Sequence, residues 1–255
     1  MPSQRIEFPG SQGDTLAGRL DTPDTPPHAW AVFAHCFTCS KDSKAAAHIA
    51  RALAEAGVGV LRFDFTGLGD SGGDFANTHF SSNVADLVAA ADWLRTHHGP
   101  PALLIGHSLG GAAVLAAAHR VPDCAAVATL GAPFEPAHVA HQLGDAVHSI
   151  EAEGQATVQL GGRPFTVRRE FLSDLAGQAQ EDRIHNLQRS LMVLHAPLDN
   201  VVDVDNARRI FMAARHPKSF ISLDGADHLL TRAEDARYAA AVIAAWAQRY
   251  LAKAG

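Results

Sequence analysis

The sequence has little cysteine, few aromatic residues and no block of basic residues. Of its 255 residues only 3 are cysteines, and 7% are aromatic. The odd cysteine count argues against a disulfide framework and fits a reducing compartment, so we predict a cytoplasmic protein. The 21 lysines and arginines are scattered and are outnumbered by 27 acidic residues. This composition lacks the basic footprint of nucleic-acid binding, and no nucleic-acid partner is expected.

Long apolar segments are also missing. No run approaches the roughly 18 unbroken apolar residues of a membrane span. The first ten residues, MPSQRIEFPG, have neither the positive start nor the apolar stretch of a secretion signal. We therefore expect no membrane partner and one globular domain, or one domain with an insertion. The sequence does not specify an oligomeric state.

Short apolar runs alternate with helical patterns through most of the chain. Six compact runs are typical of buried parallel strands; they lie at residues 30–35, 58–64, 102–106, 125–130, 191–195 and 219–223. Helical patterns cover residues 43–56, 80–97, 109–120, 204–215 and 233–252. Two earlier alternating segments, residues 4–8 and 15–20, predict an antiparallel hairpin at the sheet edge. The alternation predicts an α/β fold, a mostly parallel sheet with helices on both faces.

Residues 134–189 break this alternation. They contain a histidine-rich helical pattern, a predicted hairpin interrupted by Gly161-Gly162 and a second helical pattern, at residues 136–152, 157–168 and 170–179. We assign the segment to a small lid inserted into a core formed by residues 1–133 and 190–255. Ligands in open α/β sheets bind at the carboxyl ends of the strands, where such a lid would shape a pocket.

The pentapeptide GHSLG, residues 106–110, follows a predicted strand and opens a predicted helix. It matches G-x-S-x-G, in which the glycines let a serine occupy a sharp, strained turn. Three fixed small residues also recur by chance, so the position of the motif carries more weight than the motif. It indicates Ser108 as a nucleophile, and the alternative is a glycine-rich turn that only packs a helix on a strand.

A serine nucleophile needs a base and an acid that orients the base. Asp199 follows the fifth apolar run and His228 follows the sixth, which gives the chain order Ser, Asp, His of the α/β-hydrolases. Asp203 and Asp205 are rival acids, but Asp203 is better explained as the cap of the next helix. Most of the 15 histidines fall on helices or in the insertion.

Acyl transfer also needs N–H donors aimed at the developing oxyanion. One should be the backbone N–H of Leu109, and the other should come from the loop HCFTCSKD at residues 35–42. His35 and His107 flank the same site, and we expect them to support its loops by hydrogen bonding. Because a histidine base must be neutral, activity is expected to rise with pH through the range where histidines titrate, near about 6.5.

Several of these segments resemble α/β-hydrolase-fold serine esterases. The resemblance covers nearly the whole chain and is carried by H-x-F in the 35–42 loop, FDFTGLGDS at residues 63–71, GHSLG, and the contexts of Asp199 and His228. More narrowly, AHCFTCSKD and FDFTGLGDSGGDF resemble the hydrolase half of bacterial proteins fused to an OsmC-like peroxide-reducing domain. Residues 161–175 resemble the small insertion of feruloyl- and cinnamoyl-esterase-like enzymes.

The resemblance implies that Phe37 supplies the second oxyanion N–H. In this sequence Cys36 stands where many relatives carry glycine, and no peroxide-reducing domain precedes Gly255.

Cys36 and Cys39 form C-x-x-C, a spacing found in redox pairs and in halves of zinc sites. Only Cys124 remains, which excludes a four-cysteine zinc site. We interpret the pair as two small residues in a tight loop. The spacing of His138 and His141 is typical of a solvated helix face, and the glycines of residues 67–72 do not open a helix as a dinucleotide site requires. No cofactor and no metal are expected.

The sequence therefore predicts a carboxylesterase-type serine hydrolase that cleaves small-molecule esters of short or aromatic acyl groups through an acyl-enzyme. Four phenylalanines placed near the pocket or insertion favour such groups over long lipids: Phe37, Phe134, Phe165 and Phe171. Peptidase, thioesterase and lactonase activities use the same residues, and the fold does not separate them. Two other classes stay open, a non-catalytic binding protein and a peroxide-responsive thiol protein that uses Cys36 and Cys39.

Overall fold

The computed structural model describes residues 1–37, 39–160 and 162–251. Its strands are β1 (Ser3–Pro9), β2 (Thr15–Asp21), β3 (Ala29–Ala34), β4 (Val58–Phe63), β5 (Pro101–His107), β6 (Ala126–Leu130), β7 (Gln155–Leu160), β8 (Arg163–Arg168), β9 (Ser190–His195) and β10 (Lys218–Ser222). The α-helices are α1 (Lys44–Glu55), α2 (Phe80–His97), α3 (Leu109–Ala117), α4 (Ala146–Glu153), α5 (Arg169–Ala176), α6 (Gln180–His185), α7 (Asp205–Ala213) and α8 (Ala233–Leu251). Short 3-10 helices occupy Phe75–Asn77, Ala118–Arg120 and Pro136–Leu143.

Eight strands form one central sheet in the order β1-β2-β4-β3-β5-β6-β9-β10. β1 pairs antiparallel with β2, and β2 pairs antiparallel with β4. The remaining neighbours are parallel. The predicted edge hairpin and the predicted mostly parallel sheet are therefore confirmed.

Helices cover both faces of this sheet and therefore bury its central strands on both sides. Successive side chains of a strand point to opposite faces. In β3, Ala31 and Phe33 therefore join the core under α1 and α8, whereas Val32 and Ala34 join the core under α2, α3 and α7. All six residues of β4 and all six of β9 are buried. Near-continuous apolar runs of this kind are what a doubly covered parallel strand requires.

The segment between β6 and β9 lies outside the central sheet. It contains α4, the two-stranded antiparallel sheet of β7 and β8, α5 and α6. The predicted hairpin is present, although Gly161 lies outside the described residues. The single helical pattern at residues 136–152 is instead two helices separated at Gly144, which has φ +52°. The role of residues 134–189 as a lid, and these boundaries, stay predictions.

Six strands, β3, β4, β5, β6, β9 and β10, are parallel, and the loops that follow them lie at one edge of the sheet. The loops after β3, β4, β5, β9 and β10 carry the residues that the sequence analysis singled out, because parallel strands all end at the same edge. Among the described residues, no helix is both long and apolar enough to cross a membrane.

Candidate active site

Ser108 sits on the turn between β5 and α3 in a strained backbone conformation, with φ 54° and ψ −123°. A Cβ on Gly106 would lie 2.2 Å from the carbonyl oxygen of Gly110, and a Cβ on Gly110 would lie 2.4 Å from that of Ala34. Only glycine fits at either position. The Ser108 N–H donates to the Leu130 carbonyl at 2.8 Å and so holds the turn against β6. The sequence motif is thus explained by close backbone approach on both sides of the serine.

The structure brings the predicted serine, histidine and aspartate together. Nε2 of His228 lies 3.0 Å from Oγ of Ser108, and Nδ1 of His228 lies 2.7 Å from Oδ2 of Asp199. The three residues are buried, with 3%, 7% and 9% of their surfaces exposed. Asp203 lies away from this contact, since it accepts the N–H of Asp205 at the start of α7. Three loops far apart in the chain therefore supply one hydrogen-bonded series of groups.

Asp199 is held as an ionised carboxylate. Its Oδ1 accepts the N–H groups of Val201 and Val202, each at 2.9 Å, while Oδ2 faces His228. Burial alone would raise the pKa of Asp199, but the hydrogen bonds from His228 and from these N–H groups outweigh it, and its pKa is lowered. A carboxylate opposite Nδ1 assigns the proton to Nδ1 and leaves Nε2 free to accept a proton from Ser108.

The backbone N–H groups of Leu109 and Phe37 are the two predicted oxyanion donors. Leu109 is the first residue of α3, and Phe37 lies in the loop after β3. Within the described parts of the chain, neither N–H donates to a protein acceptor. The first turn of α3 approaches this loop closely because Gly110 lacks a side chain. An oxyanion hole requires N–H donors of this kind, so the role predicted for Leu109 and Phe37 stays a prediction that the described hydrogen bonds leave open.

Three buried histidines stand at the carboxyl ends of β3, β5 and β9: His35, His107 and His195. Each ring lies within hydrogen-bond distance of a loop carbonyl, those of Cys36, His228 and Val202, at 2.7, 2.7 and 2.8 Å. Burial lowers the pKa of all three, and that of His107 falls to about 4. The supporting role predicted for His35 and His107 is confirmed. The same role of His195 was missed, although its position at a strand end could have indicated it.

Asp64, at the end of β4, is a second residue that the sequence analysis missed. It is fully buried and accepts hydrogen bonds from the backbone N–H and the ammonium group of Lys41, at 2.5 and 2.7 Å, and from the N–H of Asp70. These bonds fasten the far end of the 35–42 loop to the sheet. A lone carboxylate directly after an apolar strand was the available signal.

Gly131, directly after β6, lies beneath His228 and Asp199. Its φ is +54°, and a Cβ there would lie 3.3 Å from Nδ1 of His228 and 3.4 Å from Oδ2 of Asp199. A side chain at this position would crowd their hydrogen bond. This glycine carries no signal in the sequence, because a single glycine after a strand is a common feature.

Cys36 and Cys39 form a disulfide, with their Cα atoms 5.3 Å apart. The expectation of two unpaired small residues is therefore wrong. Three-residue separation brings the two cysteines together within one turn, in which the Cys39 N–H donates to the Cys36 carbonyl at 3.1 Å. Cys124 is free and buried in the core.

An aromatic cluster joins the insertion to the loop after β3. The rings of Phe37 and Phe171 stack at 5.7 Å, and Phe75 packs against Phe165 at 5.0 Å. Phe134, the first residue of the predicted insertion, lies under a guanidinium group of α7 at 4.1 Å. The insertion therefore contacts the ring of Phe37, the residue predicted to supply the second oxyanion N–H.

Two cavities flank the loop that carries Phe37. One, of about 10 Å³, is lined by His35, by Asn83 and by apolar side chains, which include Phe37, Phe65, Leu68, Phe80 and Ala113. The other, of about 280 Å³, is lined by both disulfide cysteines together with Lys44, His107 and Leu229. Among the described residues that line these two cavities, none is a carboxylate.

The chain is similar to known hydrolases in both sequence and structure. Residues 25–163 match the family described as "Serine aminopeptidase, S33". The structure is similar to that of the esterase domain of a Rhodothermus marinus protein, with a TM-score of 0.80 and 49% identity over 98% of this chain and 100% of that chain. A monoacylglycerol lipase of Mycolicibacterium smegmatis is 26% identical over 232 residues, and the match covers 79% of this chain and 81% of the lipase.

A more distant structure shows the same fold. Est1E of Butyrivibrio proteoclasticus, with ferulic acid bound, has a TM-score of 0.80 at 18% identity over 97% of this chain and 99% of its own. The α/β-hydrolase fold is confirmed, whereas the narrower likeness to proteins fused to an OsmC-like domain stays a prediction. The family match spans more than half of the chain, and the chain is a hydrolytic enzyme. It belongs to the α/β-hydrolase family described as "Serine aminopeptidase, S33".

Proposed function

We propose that this enzyme is a serine esterase that cleaves small carboxylic esters of short or aromatic acyl groups through an acyl-enzyme. The proposal rests on the hydrogen-bonded series from Ser108 through His228 to Asp199 at a strained turn. It is supported by the similarity to a protein described as an esterase domain, at 49% identity over nearly the whole chain.

In acylation, Oγ of Ser108 attacks the ester carbonyl carbon while Nε2 of His228 takes the hydroxyl proton. Asp199 keeps the imidazole oriented and stabilises its cation. The negative charge that develops on the carbonyl oxygen is bound by the N–H groups of Leu109 and Phe37. His228 then returns its proton to the leaving alcohol, and the acyl group remains bonded to Ser108.

In deacylation, a water molecule takes the place of the alcohol. Nε2 of His228 accepts one proton from this water as its oxygen attacks the acyl carbon, and the same two N–H groups bind the second oxyanion. Collapse of that intermediate breaks the bond to Oγ, and His228 returns the proton to Ser108. The products are a carboxylic acid and the regenerated enzyme, and each step uses groups of this chain and water.

The surroundings of Phe37 support a preference for small acyl groups. The apolar cavity beside the two N–H donors has a volume of about 10 Å³, which is close to the space that one water molecule needs. An acetyl group requires little rearrangement there. An aromatic acyl group requires the insertion to shift, because Phe171 stacks on Phe37. We therefore propose that short acyl esters are cleaved fastest.

The family description makes aminopeptidase activity the second candidate. An aminopeptidase has to bind the ammonium group of its substrate, for which a nearby carboxylate is the usual partner. The described residues lining the two cavities beside the 35–42 loop include no carboxylate, and Asp199 is occupied by His228. Ester hydrolysis is therefore the better-supported activity, and thioester cleavage uses the same groups.

A panel of substrates tests the proposal. We expect turnover of nitrophenyl acetate and butyrate, slower turnover of hydroxycinnamate esters and none of aminoacyl nitroanilides. Ser108→Ala should abolish both turnover and labelling by a fluorophosphonate probe. Ser173→Ala, which changes an exposed serine of α5, is the matched control and should retain both. Hydrolysis that persists in Ser108→Ala, or faster cleavage of the nitroanilides, would refute the proposal.

A further inference from the structure

We propose that the Cys36–Cys39 pair is a thiol–disulfide exchange site, and that its reduction by a small dithiol lowers turnover at Ser108. This inference rests on the proposed function, since it assigns the effect to the oxyanion donor of that mechanism. The relevant observation is the position of the disulfide: its two cysteines bracket Phe37 on both sides along the chain.

The disulfide closes a ring of the chain, and the N–H of Phe37 belongs to that ring. Within the ring, the Cys39 N–H donates to the Cys36 carbonyl, and the same carbonyl also contacts the His35 ring. On the far side, the Lys41 N–H is held by Asp64. A covalent ring limits the conformations open to the residues it encloses. The bond therefore restrains the loop at the position where the oxyanion donor has to be oriented.

The disulfide is also open to a small molecule. Cys36 is 5% exposed, whereas Cys39 is half-buried. Both cysteines line the cavity of about 280 Å³, and Leu229, at its edge, is 49% exposed. Lys44, the first residue of α1, lines the same cavity. Cys39 is the more exposed of the two cysteines and is therefore the one that an incoming thiolate reaches first.

The exchange follows ordinary thiol chemistry. A thiolate of the dithiol attacks Sγ of Cys39, the S–S bond breaks, and Cys36 leaves as a thiolate that takes up a proton. The second thiol of the reductant then attacks the mixed disulfide and releases Cys39. The protein disulfide gains two electrons and two protons, and the dithiol becomes a cyclic disulfide. Cys124 takes no part, since burial raises its pKa to about 12.

Reduction should lower kcat more than it changes KM. The loop remains anchored by Lys41 and by the stacking of Phe37 on Phe171, so the donor is displaced and not removed. Complete loss of an oxyanion donor costs roughly 10²–10³-fold in kcat, so we expect a smaller decrease of about tenfold. The donor acts mainly in the transition state, which is why substrate binding is expected to change little.

The test compares the oxidised and reduced wild-type enzyme. Dithiothreitol is removed by gel filtration under nitrogen before the assay, because free thiols cleave nitrophenyl esters. Alkylation and mass spectrometry count the free thiols, and circular dichroism checks the fold. We expect one reactive pair of thiols, a kcat about tenfold lower at similar KM, and recovery after reoxidation. An unchanged or higher kcat in the fully reduced, folded enzyme overturns the proposal.

Two variants make the result specific. The double variant Cys36→Ser/Cys39→Ser should have the low kcat of the reduced enzyme and no response to dithiothreitol. Cys124→Ser leaves the loop untouched and should respond like the wild type. If the double variant equals the oxidised wild type in kcat, the ring does not orient Phe37. Fluorophosphonate labelling of Ser108 in the oxidised state tests the esterase proposal separately, so the failure of one proposal is distinguishable from the failure of the other.

Discussion

At the scale of single residues, the orientation of His228 depends on one carboxylate whose two oxygens have different hydrogen-bond partners. Oδ1 of Asp199 is occupied by the N–H groups of Val201 and Val202, and only Oδ2 contacts the histidine. The backbone N–H groups hold the carboxylate, and the carboxylate holds the imidazole. The group at the Oδ2 position therefore decides which ring nitrogen of His228 carries the proton.

Asp199→Asn should separate orientation from folding. The amide oxygen still accepts the N–H groups of Val201 and Val202, so its NH₂ group faces Nδ1 of His228. A donor there moves the ring proton to Nε2, and the base can no longer accept a proton from Ser108. We expect kcat to fall by about 10⁴-fold with little change in melting temperature.

Asp203→Asn is the matched control for this variant. Asp203 is exposed, and the N-cap of α7 is Val204 and not Asp203 as predicted. The amide oxygen of asparagine can still accept the N–H of Asp205. Steady-state kinetics and thermal unfolding of both variants provide the comparison. A decrease of less than tenfold in Asp199→Asn, or an equal decrease in Asp203→Asn, would contradict the assignment of Asp199.

At the scale of elements, the site depends on how closely α3 approaches the end of β3. Helix α3 contains two glycines in its first turn, and all nine of its residues are buried. At Gly110 the helix backbone meets the carbonyl groups of Ala34 and His35. This contact brings Leu109 and the 35–42 loop to the same side of Ser108.

Gly110→Ala should therefore damage both stability and activity. Its Cβ would lie 2.4 Å from the carbonyl oxygens of Ala34 and His35, and both are backbone atoms that cannot rotate away. We expect a loss of about 2 kcal/mol in the free energy of unfolding, as for other overpacked sites. We also expect a decrease of about 100-fold in kcat, because the start of α3 has to move.

Gly177→Ala is the control, since a Cβ there would lie 3.4 Å from its nearest neighbour and the φ of Gly177 is −80°. Urea unfolding and kcat should be close to those of the wild type. Should Gly110→Ala unfold at the wild-type urea concentration and keep its activity, the close approach of α3 would not be required.

At the scale of the whole molecule, the buried histidines make stability depend on pH. The pKa of His107 is lowered to about 4 by burial, whereas an unfolded histidine titrates near 6.5. Between these values the unfolded chain binds a proton that the folded protein does not bind. Stability is therefore fully present above pH 6.5 and is lost as the pH falls toward 4.

Unfolding free energies measured from pH 7.5 to 4 should show this loss. The shift of His107 corresponds to about 3 kcal/mol, and His35 and His195 add to it because burial also lowers their pKa values. His107→Gln, which keeps an N–H donor for the His228 carbonyl, should reduce the pH dependence. His148→Gln changes an exposed histidine of α4 and should not. If the unfolding free energy changed equally with pH in the wild type and in His107→Gln, burial of His107 would not be the cause of the pH dependence.

The sequence by itself determined the strands, most helices and the order of the candidate residues. These features follow from local patterns, since a strand buried on both faces has to be a short apolar run and parallel strands end at one edge. Ser108, Asp199 and His228 lie close together because each follows a strand that ends at that edge. Their roles in turnover remain our proposal. The break at Gly144 and helix α6 were not predicted. Helix α6 is held against α3, where Gln180 donates to the Ala112 carbonyl, and a contact between distant segments leaves no local pattern. The cytoplasmic location rested on cysteine usage and stays a prediction.

Only the tertiary structure decided which side chains support the site. The hydrogen bonds of His107 and His195, the anchoring of Lys41 by Asp64 and the fit of Gly131 under His228 join residues on different strands. The disulfide depended on the turn that the loop adopts, because C-x-x-C spacing is equally compatible with free thiols. Local sequence specifies which elements form, whereas the burial that neutralises the histidines and orders the loops arises only when distant segments pack together.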